Sequence, residues 1–215
     1  MTGRRIADLY ELLMTDTVGR YGGAAFFSLW ILMRIYRYHD TFLQWLVTFQ
    51  FVLFVAAYLS RHRATVQARG FREVVYPFIC SGFPFLIDSY PFMPCRDLST
   101  LHPLSMTLMF TGTSFIIAGI AFLRRSFSIM TEVREPVFRG IYRWTRHPMY
   151  LGSILSSLGI TLCCFSPLTA FLFTAFVIMQ VLRARFEEDK ITAAFPGYGN
   201  YALRVGWFWK LGRHS

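Results

Sequence analysis

The stretch MYLGSILSSLGITLCCF-S-PLTAFLFTAFVIMQVL, residues 149–182, carries no formal charge from end to end. Ser166 divides it into two apolar runs, Met149–Phe165 and Pro167–Leu182. Each is near the lower length, about 17 residues, that a helix needs to cross the hydrocarbon of a bilayer. Proline is tolerated in the first turn of a helix, where its missing N–H would have no intrahelical partner. Pro167 therefore opens the second run as a new helix. With nothing but Ser166 between them, the arms must be antiparallel, so the stretch is a tight helical hairpin.

Four further apolar runs precede the hairpin: Tyr21–Met33, which extends back toward Val18, then Thr41–Ser60, Val74–Ile87 and Leu104–Leu123. Pro77 and Pro84 predict a kink in the third of these. Charged residues make up 16% of the chain, against roughly 25% in soluble domains. Hydrophobic residues reach 54% and aromatic residues 18%, which excludes an intrinsically disordered chain and argues against a soluble globular one. The expected fold class is all-α: a polytopic membrane helix bundle with about six crossings. All 215 residues then form one integral-membrane domain, with 1–20 as a cytosolic or interfacial N-terminus and 21–123 as four transmembrane helices.

The formal net charge of +10 alone would be compatible with nucleic acid. However, 20 of the 22 basic residues are arginines lying between apolar runs, as in membrane proteins whose basic loops face one leaflet. With the N-terminus inside, 19 of them fall in segments 1–20, 61–73, 124–147 and 183–215. Only Arg34, Arg37 and Arg96 fall on the other side. The bias puts both termini in the cytosol. Membrane lipids are the expected surroundings, and no nucleic acid is expected. The first apolar run begins too late, behind charged residues, for a signal peptide, so the N-terminus is expected to be retained. Residues 1–17, with Asp8, Glu11 and Asp16 among apolar neighbours, suit an interfacial helix. Cys80, Cys95, Cys163 and Cys164 show no ligand spacing, so no metal is expected.

Two polar clusters flank the hairpin. The first runs from Arg139 through Gly140-Ile141-Tyr142-Arg143-Trp144-Thr145-Arg146-His147-Pro148-Met149-Tyr150 to Gly152. Pro148 suits the first helical turn, so His147 stands just outside a helix N-terminus, where free N–H groups and the dipole favour anions. Tyr150, three residues on, lies above His147, and Gly152 permits close backbone approach. Taken alone, an Arg-His-Pro at a helix start also fits ordinary interfacial anchoring. The second cluster is Arg183-Ala184-Arg185-Phe186-Glu187-Glu188-Asp189-Lys190. Arg183 and Glu187 are four apart on a helix and can pair or grip one ligand together. Taken singly, these are solvated charges closing a helix. The hairpin makes His147/Tyr150 and Arg183/Glu187 neighbours, a pocket suited to a zwitterionic ligand with a flat ring. The loop Ser89–Pro103 reads as a connector.

The run Gly140-x-Tyr142, then Arg146-His147-Pro148-x-Tyr150-x-Gly152, a hairpin, Arg-x-Glu187-Glu188 and Phe195-Pro-Gly-Tyr198-x-x-Tyr201 resembles the membrane methyltransferases related to isoprenylcysteine carboxyl methyltransferase. Phospholipid N-methyltransferases belong to the same wider group. The resemblance covers residues 137–205. It implies a cofactor-binding core there, with S-adenosylmethionine as methyl donor at the cytosolic end of the hairpin. By motif position it implies that Tyr142, Arg146, His147, Pro148, Met149, Tyr150 and Glu187 contact the cofactor. Arg183 and Glu188 are the implied catalytic positions, Arg183 in handling the substrate. Val137-Phe138-Arg139 departs from the small Thr-containing run common in the family. The substrate implied is lipophilic and enters from the bilayer: an isoprenylcysteine-like carboxylate, an aminophospholipid or a thiol. An NAD(P)H-dependent reductase of sterol-reductase type and a non-catalytic membrane subunit or transporter are the alternatives. The latter would bury ionisable residues within its spans.

Overall fold

The computed structural model describes residues 16–37, 42–60, 68, 70–88, 96–97, 101–123, 126–127 and 135–208. The expected interfacial helix over 1–17 lies almost entirely outside them. The helices are α1 (Asp16–Arg37), α2 (Phe42–Ser60), α3 (Gly70–Glu73), α4 (Val75–Asp88), α5 (His102–Leu123), α6 (Pro148–Cys163), α7 (Pro167–Ala194) and α8 (Tyr198–Arg204). A 3-10 turn, Gly140–Arg143, precedes α6. The six apolar runs all become helices. Two differ in extent: α1 starts at Asp16 and runs to Arg37, and α7 continues well past Leu182 to Ala194. Only Pro84 lies inside α4, since Pro77 falls in its first turn.

Among the described residues two helices are long and apolar enough to cross a membrane, α5 and α7; the apolar helices Trp45–Ser60 and Pro148–Cys163 are shorter. Large apolar side chains line the exterior, among them Leu32, Phe49, Val52, Phe110, Phe171 and Ile178. Such a surface is far from that of a soluble protein.

α5 and α6 form the closest helix pair. A Cβ on Gly112 would collide with the Gly152 carbonyl, one on Gly152 with the Gly112 carbonyl, and one on Gly159 with the Ser105 carbonyl. Hence glycine at these places lets the two backbones touch, a packing mode suited to apolar surroundings where shape replaces the hydrophobic effect. α1 packs on α2 through Phe27, whose ring stacks on Phe54 at 4.7 Å. Phe51, Tyr58, Ile116, Ile120 and Phe127 complete this core with Ala24 and Ala57. α7 packs on α4, where Phe83 stacks with Phe176 and the Tyr76 hydroxyl donates to the Met179 carbonyl at 3.0 Å.

The hairpin turn is built by local chemistry. The Ser166 hydroxyl accepts from the Thr169 N–H at 3.1 Å, and the Ser166 N–H donates to the Thr169 hydroxyl at 2.9 Å. This capping box, with Pro167 after it, starts α7 and is worth about 1 kcal/mol. The sequence reading made Ser89–Pro103 a plain connector. Two of its residues, Arg96 and Asp97, pair antiparallel with Phe165 and Cys164, which ties that loop to the hairpin turn. At the opposite end Lys190 pairs with Glu73 at 2.6 Å. α4, α5, α6 and α7 therefore alternate in direction.

Candidate functional site

α6 and α7, together with α1, α2, α4 and α5, enclose a cavity of about 300 Å³. Tyr142, Arg146, His147, Pro148, Met149, Tyr150, Arg183 and Glu187 all line it. Eight of the nine residues singled out in the sequence thus meet at one cavity.

The approach to α6 is shaped by Gly140, whose φ of 62° lies in the left-handed region. A Cβ there would also strike Phe122. This bend turns the 3-10 segment inward and buries Tyr142. The Tyr201 hydroxyl donates to the Tyr142 carbonyl at 2.6 Å, so α8 holds the turn from the other side. Burial pushes the Tyr142 phenol well above its ordinary value, and the neighbouring Glu187 charge adds to the shift. Tyr142 is thus a neutral donor at the cavity wall.

Across the cavity the Tyr150 hydroxyl donates to Glu187 Oε1, and Arg183 Nε stands 3.4 Å from the same oxygen. The Arg183 guanidinium lies 4.9 Å from the centre of the Tyr150 ring and donates to the Ser81 hydroxyl at 3.0 Å. His147 and Tyr150 stack in parallel, centres 5.3 Å apart, one turn apart as their spacing requires.

Glu188 is the ninth residue, and it does not line the cavity. Its Oε1 receives His147 Nε2 at 3.0 Å and the Tyr198 hydroxyl at 3.2 Å. Its Oε2 receives Arg146 Nη1 at 2.5 Å and Trp207 Nε1 at 3.0 Å. A carboxylate only accepts, so His147 Nε2 carries the hydrogen. Four donors saturate the carboxylate, which sits behind the wall and holds Arg146 and His147 to it. The buried Arg146 Nε has no partner among the described residues.

The segment after α8 closes this end. The Arg146 N–H donates to the Gly206 carbonyl at 3.1 Å and the His147 N–H to the Trp207 carbonyl at 3.2 Å. The Thr145 hydroxyl donates to the Trp207 carbonyl at 2.5 Å. Trp207 went unnoticed in the sequence, where a lone tryptophan after the last helix carries no signal. Gln180 was also missed, although a polar amide inside an apolar run is a recognisable sign of function. The inner end of the cavity comes from the first helices: Phe27 of α1, Phe51 and Phe54 of α2, and Cys80 and Ser81 of α4. No sequence motif marked them.

Among the described residues no group of three or more His, Cys, Asp or Glu could hold a metal ion. Residues 97–197 match the model of the phospholipid methyltransferase family, a span that includes all nine of the residues named above. The cobalt-zinc-cadmium resistance protein CzcN of Cupriavidus metallidurans is 28% identical over 69% of this chain and 63% of its own length. The protein-S-isoprenylcysteine O-methyltransferase of Tribolium castaneum is 24% identical over 60% of this chain and 48% of its own. The chain thus spans between about half and two thirds of these relatives. No solved structure matches it.

Proposed function

We propose that this chain, related through residues 97–197 to the membrane methyltransferases of the phospholipid and isoprenylcysteine group, transfers a methyl group from S-adenosylmethionine to a lipophilic acceptor. One observation carries the reading. Arg146, whose buried Nε has no hydrogen-bond partner among the described residues, and the Glu187 carboxylate line the same cavity, one just before the first arm of the hairpin and the other on the second. That donor set fits the amino-acid end of S-adenosylmethionine, whose carboxylate needs a cation and whose ammonium needs an acceptor.

The cofactor supplies a methyl carbon already activated by a positive sulfur. Arg146 and Glu187 hold the amino-acid end, assisted by His147. The neutral Tyr142 and Tyr150 offer ring faces to the adenine or to the sulfonium, the latter a cation–π contact. Pro148 and Met149 shape the wall. Arg183 stands between this polar end and the inner apolar end, where it aligns the acceptor and helps exclude water. Glu188 acts by positioning Arg146 and His147 rather than by touching the reacting atoms.

In the membrane we assign six crossings, α1, α2, α4, α5, α6 and α7, in one domain with both termini and the site on the cytosolic side. Residues 21–123 supply four of them and 137–205 the cofactor core. The excess of arginine on that side supports the assignment, as does the alternation of α4 to α7. The reading is tested by calorimetry of S-adenosylmethionine on the purified protein, followed by labelled methyl transfer into membrane extract. His147→Ala and Glu187→Ala should each abolish measurable binding, and unaltered affinity in both rejects the site.

A further inference from the structure

The inner end of the cavity holds a group that the cofactor reading does not use. Gln180 is 3% exposed, lines the cavity, and lies one turn before Arg183 on the same face of α7. Its side-chain nitrogen faces the Ser153 hydroxyl oxygen at 2.9 Å, while Oε1 has no hydrogen-bond partner among the described residues.

The orientation of this amide follows from its neighbour. The Ser153 hydroxyl has one hydrogen, which it donates to the Tyr150 carbonyl at 2.9 Å. Toward Gln180, Ser153 can therefore only accept, so the NH₂ group must face it and the carbonyl must face away. A buried carbonyl without a donor is costly, and here the side chain is anchored so that it cannot turn to find one. Among the described residues no group supplies that donor, and a molecule in the cavity can bring it.

The charges nearby narrow what that molecule is. Arg183 is already paired with Glu187 and hydrogen-bonded to Ser81, so among the described residues lining the inner end no cation stands without a partner. A carboxylate acceptor would set its lone pairs against those of Gln180. An amine does the opposite, because it brings N–H groups.

Resting on the methyltransferase reading, we propose that Gln180 is a specificity-determining residue: its Oε1 accepts a hydrogen bond from the attacking nitrogen and selects a lipophilic amine over a carboxylate. The amine enters as its neutral free base, having left its extra proton with water, and in the step the nitrogen's lone pair forms the new N–C bond. The C–S bond breaks with its electrons passing to sulfur, and the positive charge moves from sulfur to nitrogen. Both N–H hydrogens stay on until one is released to water afterwards. The nitrogen becomes a stronger donor as it gains charge, so the Gln180 hydrogen bond strengthens in the transition state, which is where it accelerates the reaction.

The test uses dodecylamine and dodecanoate as probes on the full-length protein in detergent. Without any methyl donor, dodecylamine should raise the melting temperature of the native protein and dodecanoate should not. Gln180→Met, which keeps the length and removes the amide, should weaken the dissociation constant for dodecylamine by several-fold up to about tenfold and leave that for S-adenosylmethionine within about twofold, the range of a typical net hydrogen bond between neutral groups. With the donor present, mass spectrometry should find N-methyldodecylamine and no methyl ester. If Gln180→Met does not fold, Ser153→Ala, which frees the amide to turn, should lose the preference for the amine. Methyl ester formation, or unchanged amine binding in these variants, overturns the role of Gln180 while leaving the cofactor site standing. Failure of the native protein to bind S-adenosylmethionine overturns both.

Discussion

The Tyr150 hydroxyl, on the first arm of the hairpin, donates to the Glu187 carboxylate on the second. The two residues lie 37 apart in sequence and are joined by the reversal at Ser166. Everything at the polar end of the cavity is arranged around that bridge. Arg183 shares the carboxylate oxygen, and His147 stacks behind the tyrosine.

The bridge can be cut from either side with different results. Tyr150→Phe removes one donor and keeps the ring, so cofactor affinity should fall by less than about tenfold, as for a typical net hydrogen bond. Glu187→Gln removes the charge that faces the cofactor's ammonium, and affinity should fall by roughly tenfold to a hundredfold. Isothermal titration of S-adenosylmethionine ranks the two, and an equal effect would refute a charge role for Glu187.

Glu188 should behave unlike its neighbour. Its loss leaves Arg146 and His147, 11% and 7% exposed, without their carboxylate. Glu188→Ala should destabilise the protein by about 3 kcal/mol, as when one member of a largely buried pair is removed. Chemical denaturation in detergent should show that loss, whereas Glu187→Gln should change stability less. Equal destabilisation by the two would contradict the positioning role of Glu188.

Alanine at glycine sorts the helix contacts. Gly152→Ala pushes a methyl into the α5 backbone, which cannot give way like a flexible side chain, and should cost roughly 1–3 kcal/mol or more. Gly22→Ala, with nothing within 4 Å of the added carbon, should be neutral or stabilising, since alanine favours helix by about 1 kcal/mol. Thermal unfolding of the pair reads the contrast, and a tolerated Gly152→Ala would deny the close α5–α6 approach.

Alkaline pH gives a test away from the membrane interior. Burial pushes the Tyr201 phenol up from its ordinary 10.0 to about 12, with the Arg146 charge opposing the shift and Glu188 adding to it. The folded state then holds this proton more tightly than the unfolded chain. The contribution is complete below pH 10 and is lost as pH rises toward 12, where a phenolate could no longer donate to the Tyr142 carbonyl. Melting temperature should therefore fall over that window in the native protein. In Tyr201→Phe the decline should be shallower; an identical decline would remove Tyr201 as its source.

Much of the helical plan was legible in the chain because apolar runs bounded by arginine, proline and serine report directly on local physics. A run of uncharged residues must be helical to satisfy its backbone in an apolar setting, and Ser166-Pro167-Leu168-Thr169 caps its own helix with its own side chains. The residues of the polar end were also visible, since the reversal at Ser166 leaves little freedom in which side chains become neighbours. What the sequence could not disclose depends on contacts between distant segments. Glycine at 112 and 152 reads as ordinary helix composition until the two backbones are seen to touch. Glu187 and Glu188 are adjacent and chemically identical, yet the helix turns them about 100° apart, one to the cavity and the other to four donors behind it. The orphaned carbonyl of Gln180 is likewise a product of packing, because only the position of Ser153 decides which way the amide faces.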